Sequence, residues 1–523
     1  MGYLSLVLHA HLPFVRHPEY EEFLEERWLF EAITECYLPL LEVFHRLEAN
    51  QIPFSLTISF SPTLISMLLD PLLQERYRKY LNKSIELAQK EFQRTRSTPF
   101  QPLAKMYLSR FQRCLQQFDE CKGNILNGYL QFFQKGFLEL ITTTATHAYL
   151  PALRHHPQAI RAQIKAGIEL YKSIFPSHPP GMWLPECGYF PGLEQYLAQE
   201  KILYFFLERH GLEYATPQAI YGVYAPVYTP AGVAAFGRDA MTSEQVWSSE
   251  VGYPGDPDYR EFYRDIGYDL EYDYIRPYIN PDGARIHTGI KYYRITGKTN
   301  QKEIYNPQRA LQKAAWHAED FLQKVSLRLQ KLQAQMSLPP LIVSPYDAEL
   351  FGHWWYEGPL WLEWLFVKLH FDYPQLQAIT PSQYLRHSPT LQLVQPATSS
   401  WGKNGYSEVW LNSQNAWIYR HLLQATEEMI YLCQAFPQAD GELREALDQA
   451  CRELFLAQSS DWPFLIHTQT AMEYAKKRLQ AHIGRFFKIA KSIRENRLDA
   501  KWLQKVQYLD NIFPQISYTL FQN

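Results

Sequence analysis

The sequence predicts an α/β fold in which parallel strands form a sheet or barrel and long helical segments are added to it. Three observations lead there. Short, near-continuous apolar runs, as expected of strands buried on both faces, alternate with amphipathic stretches of helical period. Such β–α alternation favours parallel pairing. The apolar runs also end repeatedly on His, Glu, Asp, Pro, Gly or aromatic residues, and the C-terminal strand ends are where a parallel barrel carries its active face.

Taken in order, Tyr3 to Leu8 reads as the first strand and delivers His9-Ala10-His11-Leu12-Pro13. Positions i and i+2 of a strand point the same way, so His9 and His11 can face one pocket. They could act there as metal ligands, as sugar hydrogen-bonders, or as a pair satisfied within the fold. A helix follows over 25–50, with Trp28 near its start and an apolar face through Phe30, Ile33, Tyr37, Leu40, Leu41 and Phe44. Residues 52–60 alternate as a second strand and stop at Ser61-Pro62. The stretch 68–135 is rich in Gln, Lys, Arg and Leu and reads as two or more amphipathic helices inserted between strands.

A third strand, 137–146, ends on His147. A helix over 160–175 leads to a fourth within 181–189, finishing at Glu186, and a helix over 193–199 leads to a fifth at 202–207, finishing at Glu208 and His210. Between 223 and 300 the alternation stops. Residues 223–237 read as a loop or hairpin, and Arg238, Trp247 and a Tyr-Arg-Asp-rich run follow. Loops of such length are functional or disordered, and the aromatic density favours an ordered lid or groove wall. A long helix over 307–335 returns the chain to a sixth strand at 341–343. Asp347, Glu349, His353, Trp354, Trp355 and Tyr356 come directly after it. Beyond 380, Trp401 and Trp410 bracket an aromatic loop. Helices are then expected over 416–435, 441–456 and 461–492, with Ser459-Ser460-Asp461-Trp462-Pro463 between two of them. The expected divisions are a barrel over 1–66 and 136–395, a helical insertion over 67–135, and a helical C-terminal domain over 396–523.

Composition narrows the function. A chain of 523 residues that is 46% hydrophobic can bury a large core, and a net charge of −3 argues against a nucleic-acid partner. Aromatics reach 15%, and many Trp sit among Gly, Pro, Asn and His, as a ligand that stacks on rings would require. The six cysteines form no CxxC pair. The first residues lack a basic region ahead of an apolar run, and no stretch of about 18 apolar residues could span a bilayer. No membrane association, a cytoplasmic location and a monomer are the expectations.

Two carboxylates on separate strands, Glu186 and Asp347, meet the minimum for glycoside chemistry: one attacks or stabilises the anomeric carbon and the other protonates the leaving oxygen. An acid that keeps its proton near neutral pH needs apolar surroundings, which Trp354 and Trp355 could supply to Asp347; Pro185 would fix Glu186. The competing reading is a zinc centre of His9, His11 and His147 with Asp347 or Glu186, as in a polysaccharide deacetylase, although no HExxH occurs. A glycan-binding protein without activity would explain the aromatics but not the carboxylates. No GxGxxG or P-loop supports nucleotide binding.

His-Ala-His-Leu-Pro at 9–13, Trp-Leu-Pro-Glu-Cys-Gly-Tyr at 183–189 and Pro-Tyr-Asp-Ala-Glu-Leu-Phe-Gly-His-Trp-Trp at 345–355 together resemble the motifs of glycoside hydrolase family 57. The resemblance covers nearly the whole chain. Within the family, 245–257 and the Trp401…Trp410 segment are similar to the group that branches α-1,4-glucans, with a 4-α-glucanotransferase or an α-amylase of the same family as the alternative. His147-Ala-Tyr-Leu-Pro departs from the Gly-Asn-x-Glu-like sequence of other members, a departure that group shares. The resemblance implies a (β/α)7 barrel with a helical insertion and an all-helical C-terminal domain, and a retaining double displacement with no cofactor or metal. It makes Glu186 the nucleophile and Asp347 the general acid/base. It places Trp28, Trp401 and Trp410 along a groove, His9, His11 and His147 on the sugar, and Arg238, Trp354, Trp355 and Asp461 among the substrate contacts. A mobile loop over 224–238 would exclude water, and the partner would be an α-1,4-glucan such as amylose, amylopectin or glycogen. Treatment with EDTA should therefore leave turnover of amylose unchanged; loss of activity restored by zinc would favour the metal reading.

Overall fold

The computed structural model describes residues 2–248 and 250–522. Among these residues there are nine strands: β1 (Gly2–Ala10), β2 (Leu56–Phe60), β3 (Leu138–Ile141), β4 (Gly181–Met182), β5 (Tyr204–Leu207), β6 (Val227–Tyr228), β7 (Ala234–Gly237), β8 (Leu341–Asp347) and β9 (Leu376–Ala378). Seven of them run parallel in a ring. β1 lies between β8 and β2, and β2 pairs with β3. In a second arc β5 lies between β4 and β7. Two joints close the ring: Trp183 N–H donates to Thr142 O at 2.8 Å beside a Thr142–Met182 bridge, and Asp239 N–H donates to Val343 O at 3.0 Å. β9 pairs with residues 2–4 of β1, and β6 runs antiparallel to β7. The protein is thus a (β/α)7 barrel with helical additions.

All nine residues of β1 are buried, which accounts for its unbroken apolar run. β7 has the opposite character. Ala234-Ala235-Phe236-Gly237 carries no β-branched residue, so its sequence gives little strand signal, yet it is fully buried and supplies the seventh stave. The segment 224–238 is therefore no mobile loop: it holds the β6–β7 hairpin and part of the barrel wall.

Between β2 and β3 the chain forms helices Pro62–Leu69, Pro71–Arg94, Gln101–Glu120 and Leu126–Gln134. Ser61 and Asp70 cap the first two, each followed by proline at the first helical position. The Tyr-rich segment read as a lid or wall is fixed against these helices. Tyr274 and Tyr292 donate to Glu91 at 2.8 and 2.7 Å, Tyr278 donates to Glu86 at 2.7 Å, and Tyr107 donates to Lys291 O at 2.7 Å. It is a wall.

The C-terminal helices are Ala416–Ala435, Gly441–Ala457, Asp461–Thr468, Met472–Arg494 and Ala500–Leu509. Left-handed backbone at Gln469 and Ala471 (φ 60° and 51°) breaks what the period reads as one helix over 461–492. One hydrophobic core runs from the barrel into both additions; Leu4, Tyr77, Phe111 and Leu454 all belong to it. A buried charge cluster pins the C-terminal helices. Asp510 faces Arg478 at 3.5 Å, His482 Nδ1 at 3.8 Å, and Arg485, while His482 Nδ1 also meets Glu453 at 2.7 Å. Arg478 further donates to Phe14 O at 3.4 Å, tying these helices to the loop after β1. Removing one partner of a buried pair strands the other charge, at a cost of about 3–5 kcal/mol. Asp510→Ala should accordingly lower the unfolding free energy from denaturant titration by an amount of that order, whereas Lys491→Ala, which removes an exposed pair partner at 3.8 Å from Glu495, should leave it unchanged.

Candidate active site

The mouth of the barrel collects the residues at its C-terminal strand ends. His9 and Asp347 are paired in register across β1 and β8. His9 and His11, two apart, stack with ring centroids 5.8 Å apart, and His147 lies over His11 at 3.9 Å. Trp183 backs His9 at 4.7 Å and 13°. After β3, four buried threonines lead to His147, whose φ is +55°. After β4, Pro185 opens a short turn in which Glu186 and Cys187 adopt φ +61° and +49°. Left-handed backbone at a residue with a side chain costs about 1–2 kcal/mol and gathers at functional sites. Here it turns the His147 and Glu186 side chains off the strand direction.

The C-terminal part of the chain completes this mouth. Ala148 bridges Ser459 and Tyr189 bridges Ser399, while Ser460 N–H donates to His147 O and Trp401 N–H to Glu186 O, both at 3.0 Å. These backbone links bring three side chains in. Ser460 Oγ–H donates to Glu186 Oε1 at 2.7 Å, and the Trp401 indole N–H donates to Glu186 Oε2 at 2.7 Å. Both oxygens of Asp461 lie 3.1 Å from His11 Nε2.

The hydrogen bonds around Glu186 have one consistent direction. With Ser460 donating to Glu186, His147 Nδ1–H donates to Ser460 Oγ (2.8 Å), so His147 Nε2 accepts from His9 Nε2–H (2.9 Å) and His9 Nδ1 accepts from Ser59 Oγ–H (3.1 Å). Both imidazoles must be neutral for this relay. Burial, with the charge on His11, holds both well below the ordinary histidine range. All four ring nitrogens are used in it, leaving none of them for the zinc reading. His11 differs: burial opposes its charge, but Asp461, helped by Glu186 and Glu349, outweighs burial and raises it.

Burial pushes the Glu186 carboxyl up to about 7, against the Ser460 and Trp401 hydrogen bonds that favour its ionised form. Burial likewise pushes Asp347 up to about 6, against Arg238 and His11. The two therefore titrate close together, and their hydrogen-bond partners differ. Glu186 receives two donors, as an oriented carboxylate does. No side-chain donor reaches the Asp347 carboxyl among the described residues, which leaves it able to carry a proton. Arg238 is a charged neighbour of Asp347; it lies 3.2 Å from Glu208, bonds Ser243 at 2.7 Å and sits over the Trp401 ring at 5.5 Å.

The aromatic expectations need correction. Trp355 is sealed in the core against Phe351, Tyr259 and Trp361, so it presents no face to a sugar. Trp354 is exposed and stacks on Phe262 at 4.6 Å. Neither is the apolar shield of Asp347; Arg238 and His11 are its charged neighbours. Trp410 is buried beneath Tyr149, with ring centroids 5.3 Å apart, and supports the Trp401 loop from below. Trp28 is half-buried, edge-on to Tyr474 at 5.8 Å. Among these tryptophans Trp401 is the one that hydrogen-bonds the Glu186 carboxyl. Ser59 and Ser460 have no sequence signal as site residues; only the polar Ser459–Asp461 run beside Trp462 marks the neighbourhood.

A seven-stranded parallel barrel with two carboxyls, Glu186 buried and Asp347 partly so, and stacked imidazoles at its mouth is a carbohydrate-processing enzyme of the two-carboxylate kind. A family model described as glycosyl hydrolase family 57 matches residues 5–396, and one described as the C-terminal part of 1,4-alpha-glucan branching enzyme matches 421–521. The chain is similar to the α-amylase AmyC from Thermotoga maritima, at 45% identity over 100% of this chain and 99% of that one, with a TM-score of 0.94. It is similar also to the branching enzyme of Pyrococcus horikoshii, at 32% identity over 100% and 97% with a TM-score of 0.90. The 1,4-alpha-glucan branching enzyme TK1436 of Thermococcus kodakarensis is 32% identical over 98% of this chain and 77% of that one. The chain belongs to glycoside hydrolase family 57.

A hydrogen bond to a charged group contributes about 2 kcal/mol. Ser460→Ala should therefore lower kcat on amylose roughly 30-fold with the far-UV circular dichroism unchanged, and Trp401→Phe, which keeps a ring but removes the indole N–H, should fall by a similar factor.

Proposed function

We propose that the protein is a retaining α-1,4-glucan branching enzyme, with Glu186 as nucleophile and Asp347 as general acid/base. The observation that carries the chemistry is the enclosure of Glu186 by Ser460 and Trp401 at the mouth where Asp347 also ends its strand. The C-terminal match over 421–521 to branching enzymes supports the choice of branching.

In the first half-reaction Glu186 attacks the anomeric carbon of an α-1,4 linkage, and the bond to O4 breaks as Asp347 gives O4 its proton. The shortened glucan leaves. In the second, the 6-hydroxyl of another chain attacks the glucosyl–Glu186 ester, Asp347 takes the hydroxyl proton, and Glu186 is released. Retention requires the two carboxyls to be about 5–5.5 Å apart. Transfer outcompetes hydrolysis only where an acceptor sugar is held and water is kept away. The fixed wall of 253–305 and the Trp401 loop are the elements placed to do this. The neutral His9–His147 pair, with His11 and Asp461, would surround the reacting sugar. No helix among the described residues is long and apolar enough to cross a membrane, and one chain supplies every group named. A monomer acting in the cytoplasm on amylose, amylopectin or glycogen fits both facts.

The likeness to AmyC motivates a second reading, an α-amylase, which would use the same two carboxyls with water as acceptor. Incubation with amylose separates the two: new α-1,6 linkages should outnumber released reducing ends, and reducing ends alone would establish the amylase. Glu186→Gln and Asp347→Asn should each lower either activity by roughly 10³-fold or more without changing the fold; full turnover by either variant would refute the assignment. The carboxyls at about 7 and about 6 set the pH dependence. Activity should rise as Glu186 ionises and fall as Asp347 loses its proton, giving a narrow bell in kcat/KM centred between about pH 6 and 7.

A further inference from the structure

His210 follows the end of β5 at the same mouth and has no part in the reaction described so far. It lies in the short helix Arg209–Glu213, and two residues of that helix meet the segment that carries Trp401. His210 Nε2–H donates to Gly405 O at 2.8 Å. A carbonyl oxygen only accepts, so the ring proton sits on Nε2. Beside it, Ala397 N–H donates to Gly211 O at 2.9 Å, and a Cβ on Gly211 would come 2.6 Å from Ser399 Oγ. The approach at Gly405 is as close. This glycine has φ +72°, and a Cβ there would fall 2.5 Å from the His210 ring. Only glycine lets the imidazole reach that carbonyl. The same ring lies against Tyr406, with centroids 4.9 Å apart.

The carbonyl that His210 holds closes the Trp401 loop. Gly405 O also accepts the Ser400 N–H at 2.8 Å, and Trp401 comes next, its own N–H on Glu186 O and its indole N–H on Glu186 Oε2. Within 401–407, Gly402, Asn404, Gly405 and Ser407 all have positive φ. Backbone of this kind persists only where the surroundings over-determine it. Side chains on the barrel supply two such holds, His210 at Gly405 and the Tyr149 hydroxyl at Ser407 Oγ. A hydrogen bond weakens steeply as its angle closes, so the direction of the indole decides whether Glu186 Oε2 keeps its donor. We propose that His210 is a positioning residue, which by holding Gly405 aims the Trp401 indole N–H at the Glu186 carboxyl. This rests on the reading in which Glu186 is the nucleophile. Without His210 the carbonyl keeps only its contact inside the loop, and the glycines at 402 and 405 leave the segment free to turn.

The test is a double-mutant cycle between His210 and Trp401, read as kcat and KM on amylose with the full chain. His210→Ala should lower kcat about fivefold, the worth of one hydrogen bond between neutral groups, with KM held within about twofold. In the Trp401→Phe background no indole N–H remains to be aimed, and the same substitution should change kcat by less than about twofold. His210→Gln, whose amide N–H can stand where Nε2–H stood, should restore most of the loss. Should His210→Ala not fold, His210→Phe carries the same test, since it keeps a ring against Tyr406 and removes the donor. An equal fall in both backgrounds, a fall that glutamine does not restore, a rise in KM alone, or no fall at all overturns the proposal. Glu186→Gln is measured alongside. If it is inactive, any of those results removes only the role of His210; if it is active, the underlying reading goes as well.

Discussion

The structure depends on how a carboxylate is kept usable inside a protein. Glu186 is buried, and burial alone would neutralise it. What opposes neutralisation is a one-way relay from Ser59 through His9, His147 and Ser460, joined at the other oxygen by Trp401. The relay works only if both imidazoles stay uncharged, and their depth in the barrel mouth holds them so. For His11, stacked on the same pair, Asp461 outweighs burial and favours the charged form. Three rings of one chemical type are thus shifted in two directions, separated by which neighbour each one meets.

This arrangement explains why the C-terminal helices cannot be regarded as an accessory. Ser460, Asp461 and Trp401 all come from beyond residue 400, and each touches a group on the barrel. The backbone links at Ala148–Ser459 and Tyr189–Ser399 fix their height above the strands. The continuous core beneath and the Arg478–Asp510 cluster keep the whole half in register. The barrel carries the carboxyls, but Glu186 has both of its donors only when the rest of the chain has folded onto it.

Much of the fold was legible because parallel strands buried on both faces write themselves as apolar runs, and because reactive residues follow their ends. β1, β3, β5 and β8 were visible in this way, as were His9, His147, Glu186 and Asp347. β7 was not, since its two alanines and glycine disfavour a strand and a lone phenylalanine does not offset them; pairing with β5 makes it a strand. The aromatic residues divided for a related reason. Period and composition show that a tryptophan is present but not which face it turns to solvent, so Trp355 and Trp410 looked like sugar platforms and are core. Ser59 and Ser460 were invisible because a serine's role lies wholly in what it meets, and its partners are 50 to 313 residues away.

The closure of the ring carries a consequence of its own. β4, β5 and β7 form one arc and β8, β1, β2 and β3 the other, and few backbone hydrogen bonds cross from arc to arc: those at Thr142 and at Val343. Glu186 rides on the first arc and Asp347 on the second. The two carboxyls are thus borne by different halves of the ring, and their separation is set by how those halves join rather than by any single pair of neighbouring staves.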